Sequence, residues 1–407
     1  MHPIARAALL GLAAVALVAG PSAAPAAADT GLDWADQPAR TVTDQCGDVL
    51  FVGVRGSGEE WPWGPTIERV REVLIAHTEH VDGDRPRAQV REIALDFPAA
   101  SPYTLTDIGV ERLLFDEEMP DNDYLRSVEA GRAELHRILD DSATRCPNER
   151  WVLAGFSQGA QVITETLAER GEAPQLAGAL LFGNPLHYPT QQVTEFGTGD
   201  DSATGLVAAV HYLRETAQVA RDSDDRIGLK AVIRTTLAMS EGDLAMPRMQ
   251  RVARYHAMEI PESLRHRVIS VCNAGDIICD AGSPLARVML GASTITSETD
   301  RARPIHQGYD EALIAEAAAA LIGDLLANLP ECPGGPPART EPEADAAWRI
   351  PVEAIGALAG GGLLLAAGAG VTVARRRRRM VDDDTDWHLL SDDEDDDQHT
   401  GSRQLSA

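Results

Sequence analysis

Short apolar runs alternate along residues 46–329 with segments in which apolar residues recur every three or four positions. The runs predict strands and the recurring segments predict helices, an alternation typical of a parallel sheet covered on both faces. The predicted strands are 48–54, 89–95, 150–155, 176–182 and 267–272, and the clearest predicted helices are 66–80, 124–140, 158–170 and 309–326. The pattern therefore predicts an α/β three-layer sandwich with a five-stranded parallel sheet, whose functional loops lie at the carboxyl ends of the strands.

The connection between the fourth and fifth predicted strands is long, and its residues 187–265 are predicted to form a helical insertion. Apolar residues recur at helical spacing through 206–217, 227–239 and 246–258. A helical insertion at the carboxyl end of the sheet favours a lid or a cap over a substrate site. Amphipathic helices are also ordinary packing elements, so a peripheral decoration is an equal alternative.

Two apolar segments near the ends of the chain predict export and anchoring. Residues 1–28 combine Arg6, an apolar core and an Ala-Ala-Ala cleavage signal, which together indicate a secretory signal peptide. Residues 352–374 are apolar over a length that crosses about 30 Å of hydrocarbon as a helix. Because the arginines of 375–379 follow directly, the positive-inside rule predicts a single-pass protein of the cell membrane, with residues 29–351 outside and the C-terminus in the cytoplasm.

Composition divides the rest of the chain into a domain, a stem and a tail. The predicted domain is 29–329, and the Pro- and Gly-rich residues 330–351 are typical of a semi-extended stem. Residues 375–407 hold the arginine cluster and an acidic tail that is predicted to be disordered. Residues 29–351 carry 52 acidic and 29 basic side chains, and this excess argues against a nucleic-acid partner, since phosphate binding needs a basic face.

All five cysteines lie in the part predicted to be exported, where disulfides form and persist. Sequence alone does not fix their connectivity. Cys272 and Cys279 bracket a Gly-Asp turn, and Cys46 and Cys146 each precede a predicted strand, so we favour the pairs Cys46–Cys146 and Cys272–Cys279. Cys332 then remains in the stem, either unpaired or in a disulfide-linked dimer.

The third predicted strand runs directly into Gly155-Phe156-Ser157-Gln158-Gly159 and then into a predicted helix. A serine at such a strand-to-helix turn is typical of the nucleophile elbow of serine hydrolases, in which the hydroxyl is exposed above the sheet. The motif alone is equally compatible with a simple turn that holds a solvated serine. A base, an acid and oxyanion donors elsewhere in the chain would therefore decide between these interpretations.

The order Ser157, Asp276, His306 is the order in which α/β-hydrolases carry a nucleophile, an acid and a base. A serine hydroxyl needs a histidine base, and the acid fixes the tautomer of the imidazole. Asp280 is the rival acid, but Asp276 is preferred because it lies inside the loop that Cys272 and Cys279 would close. The rival histidines are His211, His256 and His266, in or beside charged helical segments, and His187, a weak candidate for a substrate loop.

Two backbone N–H groups are candidates for the oxyanion hole. The residue after the nucleophile, Gln158, is the expected first donor, and a loop after an early strand is the expected second. The first predicted strand runs into Arg55-Gly56-Ser57-Gly58, and Ser57 offers both an N–H and a hydroxyl. A plain glycine turn would explain this segment in isolation, but its place after the first strand favours the oxyanion role.

Six short motifs follow one another in order within about residues 45–326: Val54-Arg55-Gly56-Ser57, Phe97-Pro98-Ala99, Cys146-Pro147, the segment 155–160, the segment 272–279 and His306-Gln307-Gly308-Tyr309. In these motifs the chain resembles the cutinase family of serine esterases. The resemblance implies an α/β-hydrolase fold, two disulfides at the favoured pairs, an oxyanion hole at Ser57 and Gln158, and ester hydrolysis without metal or cofactor. Three departures are Phe156 where tyrosine is usual, the long insertion, and the membrane anchor with its tail.

These observations together predict a membrane-anchored serine esterase. The expected substrate is a carboxylic ester in a lipid, a polyester or an acylated component of the cell envelope. One alternative is an acyltransferase that uses the same acyl-enzyme. The other is a non-catalytic surface protein for binding or adhesion on the same fold.

Overall fold

The computed structural model describes residues 45–78, 88–102, 104, 108–221 and 225–328. Its strands are β1 (Val49–Val54), β2 (Val90–Ala94), β3 (Arg150–Phe156), β4 (Leu176–Phe182), β5 (Thr194–Phe196) and β6 (Val268–Val271). They form one sheet in the order β2-β1-β3-β4-β6-β5, and every neighbouring pair is parallel. The prediction of a parallel α/β sheet is therefore confirmed.

The prediction of five strands is wrong by one, because β5 lies inside the insertion and adds an edge strand beside β6. This strand has only three residues, and Thr194 and Glu195 are exposed. It therefore leaves no apolar run for the sequence pattern to reveal. The five longer strands were recognisable because burial on both faces makes their sequences nearly continuously apolar. All six residues of β1, for example, are buried.

Ten α-helices cover the sheet and its carboxyl end within the described residues. They are α1 (Pro65–Thr78), α2 (Val110–Phe115), α3 (Asp123–Arg145), α4 (Gln158–Arg170), α5 (Leu206–Arg221), α6 (Asp225–Ser240), α7 (Met246–Tyr255), α8 (Gly282–Met289), α9 (Ile295–His306) and α10 (Glu311–Asn328). The four helices predicted most clearly correspond to α1, α3, α4 and α10. Three others, α5 to α7, lie in the predicted insertion 187–265.

Alternate side chains of the strands enter two separate apolar layers. Leu50 and Val52 of β1 belong to the layer beneath α3 and α4, which also contains Leu135. Val49 and Phe51 belong to the layer beneath α1 and α10. Because successive strand residues point to opposite faces, this division follows from the strand geometry. The sheet is thus fixed from both sides, and its carboxyl end is free to carry loops.

The insertion has an apolar cluster of its own. Residues from α5, α6 and α7, including Leu213, Val232 and Met249, pack together, with Leu114 of α2 and Leu186 beside them. The amphipathic stripes of the sequence therefore pack against one another and against α2 and α8. The insertion contributes both this helical cluster and the edge strand β5 of the sheet.

The predicted signal peptide 1–28, stem 330–351, membrane segment 352–374 and tail 375–407 lie outside the described residues, as does Cys332. Among the helices that the structure describes, none combines the length and the apolar character needed to span a bilayer. The membrane anchor therefore stays a prediction of the sequence.

Both favoured disulfides are present. Cys46 pairs with Cys146 across 100 positions, with Cα atoms 5.5 Å apart. Cys272 pairs with Cys279 across seven positions, with Cα atoms 5.9 Å apart. The first bond joins the segment before β1 to the end of α3, and the second closes the loop that follows β6.

The two disulfides should differ in how much they stabilise the fold. Replacing Cys46 and Cys146 together with Ala should lower the free energy of unfolding by about 4.5 kcal/mol, because a long loop is released in the unfolded chain. The same change at Cys272 and Cys279 should cost about 2.5 kcal/mol. Guanidinium unfolding of the full chain, followed by tryptophan fluorescence, measures both. A larger loss for the short loop would contradict the loop-entropy explanation.

Candidate active site

Ser157 occupies a tight turn between β3 and α4. Its backbone angles are φ 54° and ψ −117°, in a region that residues other than glycine rarely adopt. A Cβ at Gly155 would lie 2.6 Å from the carbonyl carbon of Gly159, and one at Gly159 would lie 2.0 Å from the Val54 carbonyl oxygen. Only glycine therefore fits at these two positions. The spacing of the G-x-S-x-G segment follows from the close packing of β3, α4 and the end of β1.

Asp276 lies in the loop closed by Cys272 and Cys279, and its side chain is fully buried. Its Oδ1 accepts a hydrogen bond from the Ile278 N–H at 2.9 Å. Its Oδ2 lies 2.9 Å from Nδ1 of His306. A buried carboxylate is tolerated only when donors surround it, so this loop conformation depends on those donors. The structure brings Asp276 and His306 together, as the sequence predicted.

The rival acid Asp280 has a different partner. Its Oδ2 accepts a hydrogen bond from the Gly275 N–H at 3.0 Å. Burial raises the pKa of the Asp280 carboxyl, and its interaction with the Gly275 N–H opposes part of that rise. Asp280 therefore supports the backbone of the loop beside Asp276, whereas Asp276 contacts the imidazole.

His306 is the last residue of α9, and its side chain is 15% exposed. The ring stacks on Phe156 with centroids 4.7 Å apart and planes 24° from parallel. Gly183, at φ 55°, follows β4, and a Cβ there would lie 2.8 Å from Cε1 of His306. Because Phe156 precedes Ser157, the stacking brings the imidazole beside the nucleophile elbow.

The other candidate histidines lie elsewhere. His187 is buried, with Nδ1 3.4 Å from the Ser270 hydroxyl of β6, and burial lowers its pKa to about 4. It is therefore a core residue, and the interpretation as part of a substrate loop is wrong. His211 and His256 stack on each other in the insertion, with centroids 3.8 Å apart. His266 lies in the short 3₁₀ turn before β6, at the amino end of that strand.

Ser57 lies in the loop after β1, and its Oγ is buried without a hydrogen-bond partner among the described residues. The loop is tied to the end of β2, because Arg55 donates to the Phe97 carbonyl at 2.7 Å and the Gly58 N–H donates to the Ala99 carbonyl at 2.9 Å. A buried hydroxyl without a partner is costly unless something else accepts from it. This atom is therefore suited to a developing negative charge.

Gln158 is the first residue of α4 and is fully buried. Its side-chain oxygen accepts from the Ser127 hydroxyl at 3.1 Å, and its side-chain amide donates to the Tyr124 carbonyl at 3.4 Å. The side chain is thus held away from the turn. Its backbone N–H belongs to the first turn of a helix, where N–H groups have no intrahelical acceptor and the helix dipole is positive.

Tyr309, Gly183 and Glu59 also contribute to the site, although no sequence pattern assigned them a role. Tyr309 donates from its hydroxyl to Asp276 Oδ2 at 2.7 Å. Glu59 accepts from the Gly56 N–H at 2.6 Å in the Ser57 loop. Burial raises the pKa of Glu59, and the Gly56 N–H and His306 act against that rise. For Tyr309, the sequence offered one clue, which is that it follows His306 by three residues. The two residues flank the turn between α9 and α10.

The chain is similar to a described protein family and, more distantly, to solved structures. A family model described as Cutinase matches residues 45–298. A cutinase-like protein from Cryptococcus sp. is 14% identical, with a TM-score of 0.38, and the match covers 68% of this chain and 95% of that one. The catalytic core domain of acetyl xylan esterase from Trichoderma reesei is 18% identical, with a TM-score of 0.39, and the match covers 69% of this chain and 100% of that one. Trichoderma reesei cutinase, in complex with a phosphonate inhibitor, is 16% identical, with a TM-score of 0.31, and the match covers 69% of this chain and 77% of that one. No curated protein matches the chain.

An ion pair between the buried Glu298 and the partly exposed Arg287 holds the helix that ends in His306. Arg287 of α8 donates to both carboxylate oxygens of Glu298 in α9, at 2.9 and 2.6 Å. These hydrogen bonds lower the pKa of Glu298 to about 2, against an ordinary value of 4.5. Because the pKa is lower in the folded state, the pair stabilises the fold above the ordinary pKa. This contribution is lost as the pH falls towards 2.

Replacing Glu298 with Gln should lower the free energy of unfolding by about 2 kcal/mol at pH 7, because the Arg287 guanidinium loses its charged acceptor. The difference from the unmodified chain should shrink between pH 4.5 and pH 2, where the native carboxylate takes up its proton. Thermal unfolding across this pH range measures it. The exposed Asp300→Asn in the same helix is the control, and an equal effect there would contradict the prediction.

Proposed function

Because the chain belongs to the cutinase family, which hydrolyses carboxylic esters, we propose that Ser157 is the nucleophile of a serine esterase. The observation that carries this proposal is the contact between Asp276 Oδ2 and Nδ1 of His306, 2.9 Å long, beside the strained turn of Ser157. An acid that holds Nδ1–H leaves Nε2 of the imidazole unprotonated and able to accept a proton. This is the state that a serine hydroxyl requires for attack.

In the proposed acylation step, the Oγ of Ser157 forms a bond to the ester carbonyl carbon, and its proton passes to Nε2 of His306. The carbonyl oxygen becomes negative in the tetrahedral intermediate. The bond to the alcohol oxygen then breaks, and the departing oxygen takes the proton from His306. Asp276 stabilises the imidazolium while it exists, which its buried, hydrogen-bonded carboxylate supports.

The proposed oxyanion hole consists of Ser57 and the backbone N–H of Gln158. Donors that are already in position stabilise the negative oxygen without reorganising in the transition state. Two features support this assignment: the unpartnered, buried Oγ of Ser57, and the place of Gln158 at the start of α4. The hydrogen bonds of Arg55 and Gly58 to the end of β2 would keep Ser57 in position.

Deacylation in this proposal uses water, which loses a proton to His306 as its oxygen attacks the acyl carbon. The bond between the acyl carbon and Ser157 Oγ then breaks, and Oγ takes the proton from His306, which leaves a carboxylic acid and regenerated Ser157. An alcohol at the same position would give a new ester, so an acyltransferase remains the closest alternative. A non-catalytic binding protein is the other, and the contact between Asp276 and His306, whose ring stacks on the residue before Ser157, argues against it.

The proposed substrate is an ester lipid or an acylated component near the cell surface, with a polyester as the further option. This proposal follows from the predicted signal peptide and membrane segment, which would hold the domain outside the cell and close to the membrane. An anchored enzyme acts on what lies near its anchor. Remote polymers are therefore less suitable substrates than envelope esters.

The insertion is proposed to cap the substrate site. Its α5 begins at the acid loop, because the Leu206 N–H donates to the Ile278 carbonyl at 2.9 Å. Later in the same helix, the buried Arg214 donates to the carbonyl oxygens of Leu113 and Asp116, in the segment that follows β2. One helix thus links two segments from the carboxyl end of the sheet, which supports a cap over a peripheral decoration.

The esterase proposal is tested with the full chain and p-nitrophenyl esters of short acids. Replacing Ser157 or His306 with Ala should reduce kcat by at least about 10³-fold, since both take part in the same proton transfer. Ser263→Ala, an exposed serine near the amino end of β6, is the control and should retain full activity. Hydrolysis that persists in Ser157→Ala would overturn the proposal. Adding an alcohol and measuring free acid against new ester separates hydrolysis from acyl transfer.

The cap is tested by loosening it. Arg214→Met removes the donors that join α5 to the segment after β2, so the ratio of kcat/KM for octanoyl and acetyl esters should change by about threefold or more. Arg251→Met is the matched control, since that exposed guanidinium contacts only its own helix through the Pro247 carbonyl. If both variants keep the ratio of the unmodified chain, the insertion is a decoration.

A further inference from the structure

Three donors converge on the buried carboxylate of Asp276, and two of them share one oxygen. The Ile278 N–H donates to Oδ1 at 2.9 Å. On Oδ2, the hydroxyl of Tyr309 donates at 2.7 Å and Nδ1 of His306 lies at 2.9 Å. The acid–base pair of the proposed mechanism explains the contact with His306 only. The hydroxyl of Tyr309 is an additional, charge-assisted hydrogen bond.

The Tyr309 hydroxyl is the donor in its hydrogen bond to Asp276. The side chain is buried, and burial together with the negative charge of Asp276 raises its pKa well above the ordinary value. It therefore does not ionise next to the carboxylate. Its other close polar neighbours are Cys279 Sγ, at 3.7 Å, and the backbone of Asn273 and Gly183, whose hydrogen bonds act against the rise in its pKa. Sulfur in a disulfide is a weak acceptor, so Asp276 Oδ2 is the acceptor of the hydroxyl proton.

Packing fixes the ring that carries this hydroxyl. Tyr309 meets Phe182 edge to face with centroids 5.7 Å apart, and Phe156 with centroids 6.2 Å apart. The Phe182 carbonyl accepts the Ser157 N–H at 2.8 Å, and Phe156 precedes Ser157. The ring that contacts the acid is therefore packed against the two strand ends that hold the nucleophile.

We propose that Tyr309 is a positioning residue of the esterase, whose hydroxyl fixes the Asp276 carboxylate so that Oδ2 faces His306. Rotation of the carboxylate about its Cβ–Cγ bond would break the hydrogen bonds on both oxygens at once. The hydroxyl also withdraws negative charge from Oδ2, which limits how strongly the carboxylate stabilises a protonated imidazole. The inference rests on the proposed catalytic roles of Ser157, His306 and Asp276.

The other ionisable groups beside this pair are Glu59 and Asp280. Glu59 interacts electrostatically with His306 from the loop after β1, and Asp280 interacts with Asp276 from the same loop as Asp276 itself. Both groups are unchanged when Tyr309 is altered. A comparison of the pH profiles of two chains that differ only at Tyr309 therefore isolates the hydroxyl.

The test begins with Tyr309→Phe in the full chain, which keeps the ring and its packing. We expect kcat to fall about tenfold with KM nearly unchanged, since a charge-assisted hydrogen bond is lost at a group that does not bind substrate. The acid limb of the kcat/KM profile should move to higher pH, because the more negative carboxylate favours the protonated, inactive imidazole. Tyr124→Phe is the matched control, since it removes a buried hydroxyl that donates to Gln161 Oε1, also at 2.7 Å. It should lower stability without moving the profile.

Replacing Tyr309 with 3-fluorotyrosine provides the opposite change. The fluorinated hydroxyl is a stronger donor on a nearly unchanged ring, so the acid limb should move to lower pH. If Tyr309→Phe loses stability but its profile and that of the fluorinated chain superimpose on the original, Tyr309 is only structural and the proposal is overturned.

A measurement that needs no turnover separates this inference from the esterase proposal. The low-field proton resonance of the hydrogen bond between His306 and Asp276 should move downfield in Tyr309→Phe and upfield with 3-fluorotyrosine. An unmoved resonance contradicts the positioning role even in an active enzyme. Movement of the resonance in a chain whose hydrolysis survives Ser157→Ala would keep the positioning contact and reject the esterase proposal.

Discussion

The charge of Asp276 is the constraint on which the carboxyl end of the sheet depends. A carboxylate with no exposure to solvent must be matched by donors, and the donors here come from its own loop and from the turn between α9 and α10. The Ile278 N–H comes from the disulfide-closed loop, His306 from the end of α9 and Tyr309 from the turn before α10. The geometry of that single group therefore fixes how the last third of the domain folds back onto the sheet.

The same constraint explains the glycine that follows β4. Gly183 lies so close to the imidazole and to Asp276 Oδ2 that a side chain there would displace one of them. The Gly183 N–H is in turn held by the Val271 carbonyl at 2.9 Å, at the end of β6. Gly183, although it is simply the first residue after β4, thus leaves the space that the acid and the base occupy.

The sequence predicted the longer strands because most of their residues are buried and apolar. The edge strand β2 is the least apolar of them, since it contains Arg91 and Glu92. The sequence also predicted the proximity of Asp276 and His306, because the order of the motifs and the strand ends is characteristic of one fold. It missed β5 and α9 for physical reasons. The former is short and exposed, and the latter contains Pro304 and several charges, so neither has the periodicity that burial imposes. The role of Tyr309 depends on contacts between residues 33 positions apart in the chain, which no local pattern encodes.

The short strand β5 also covers a sheet edge that could otherwise pair with a strand of another molecule. An open edge of a sheet presents unpaired N–H and C=O groups that can recruit a strand from a neighbouring molecule. Here β5 covers β6 and ends where Gly197 approaches the Cys272 carbonyl, too closely for any side chain. The remaining edge on that side is three residues long and carries the exposed Glu195. The strand next to the acid loop is thereby kept from seeding aggregation.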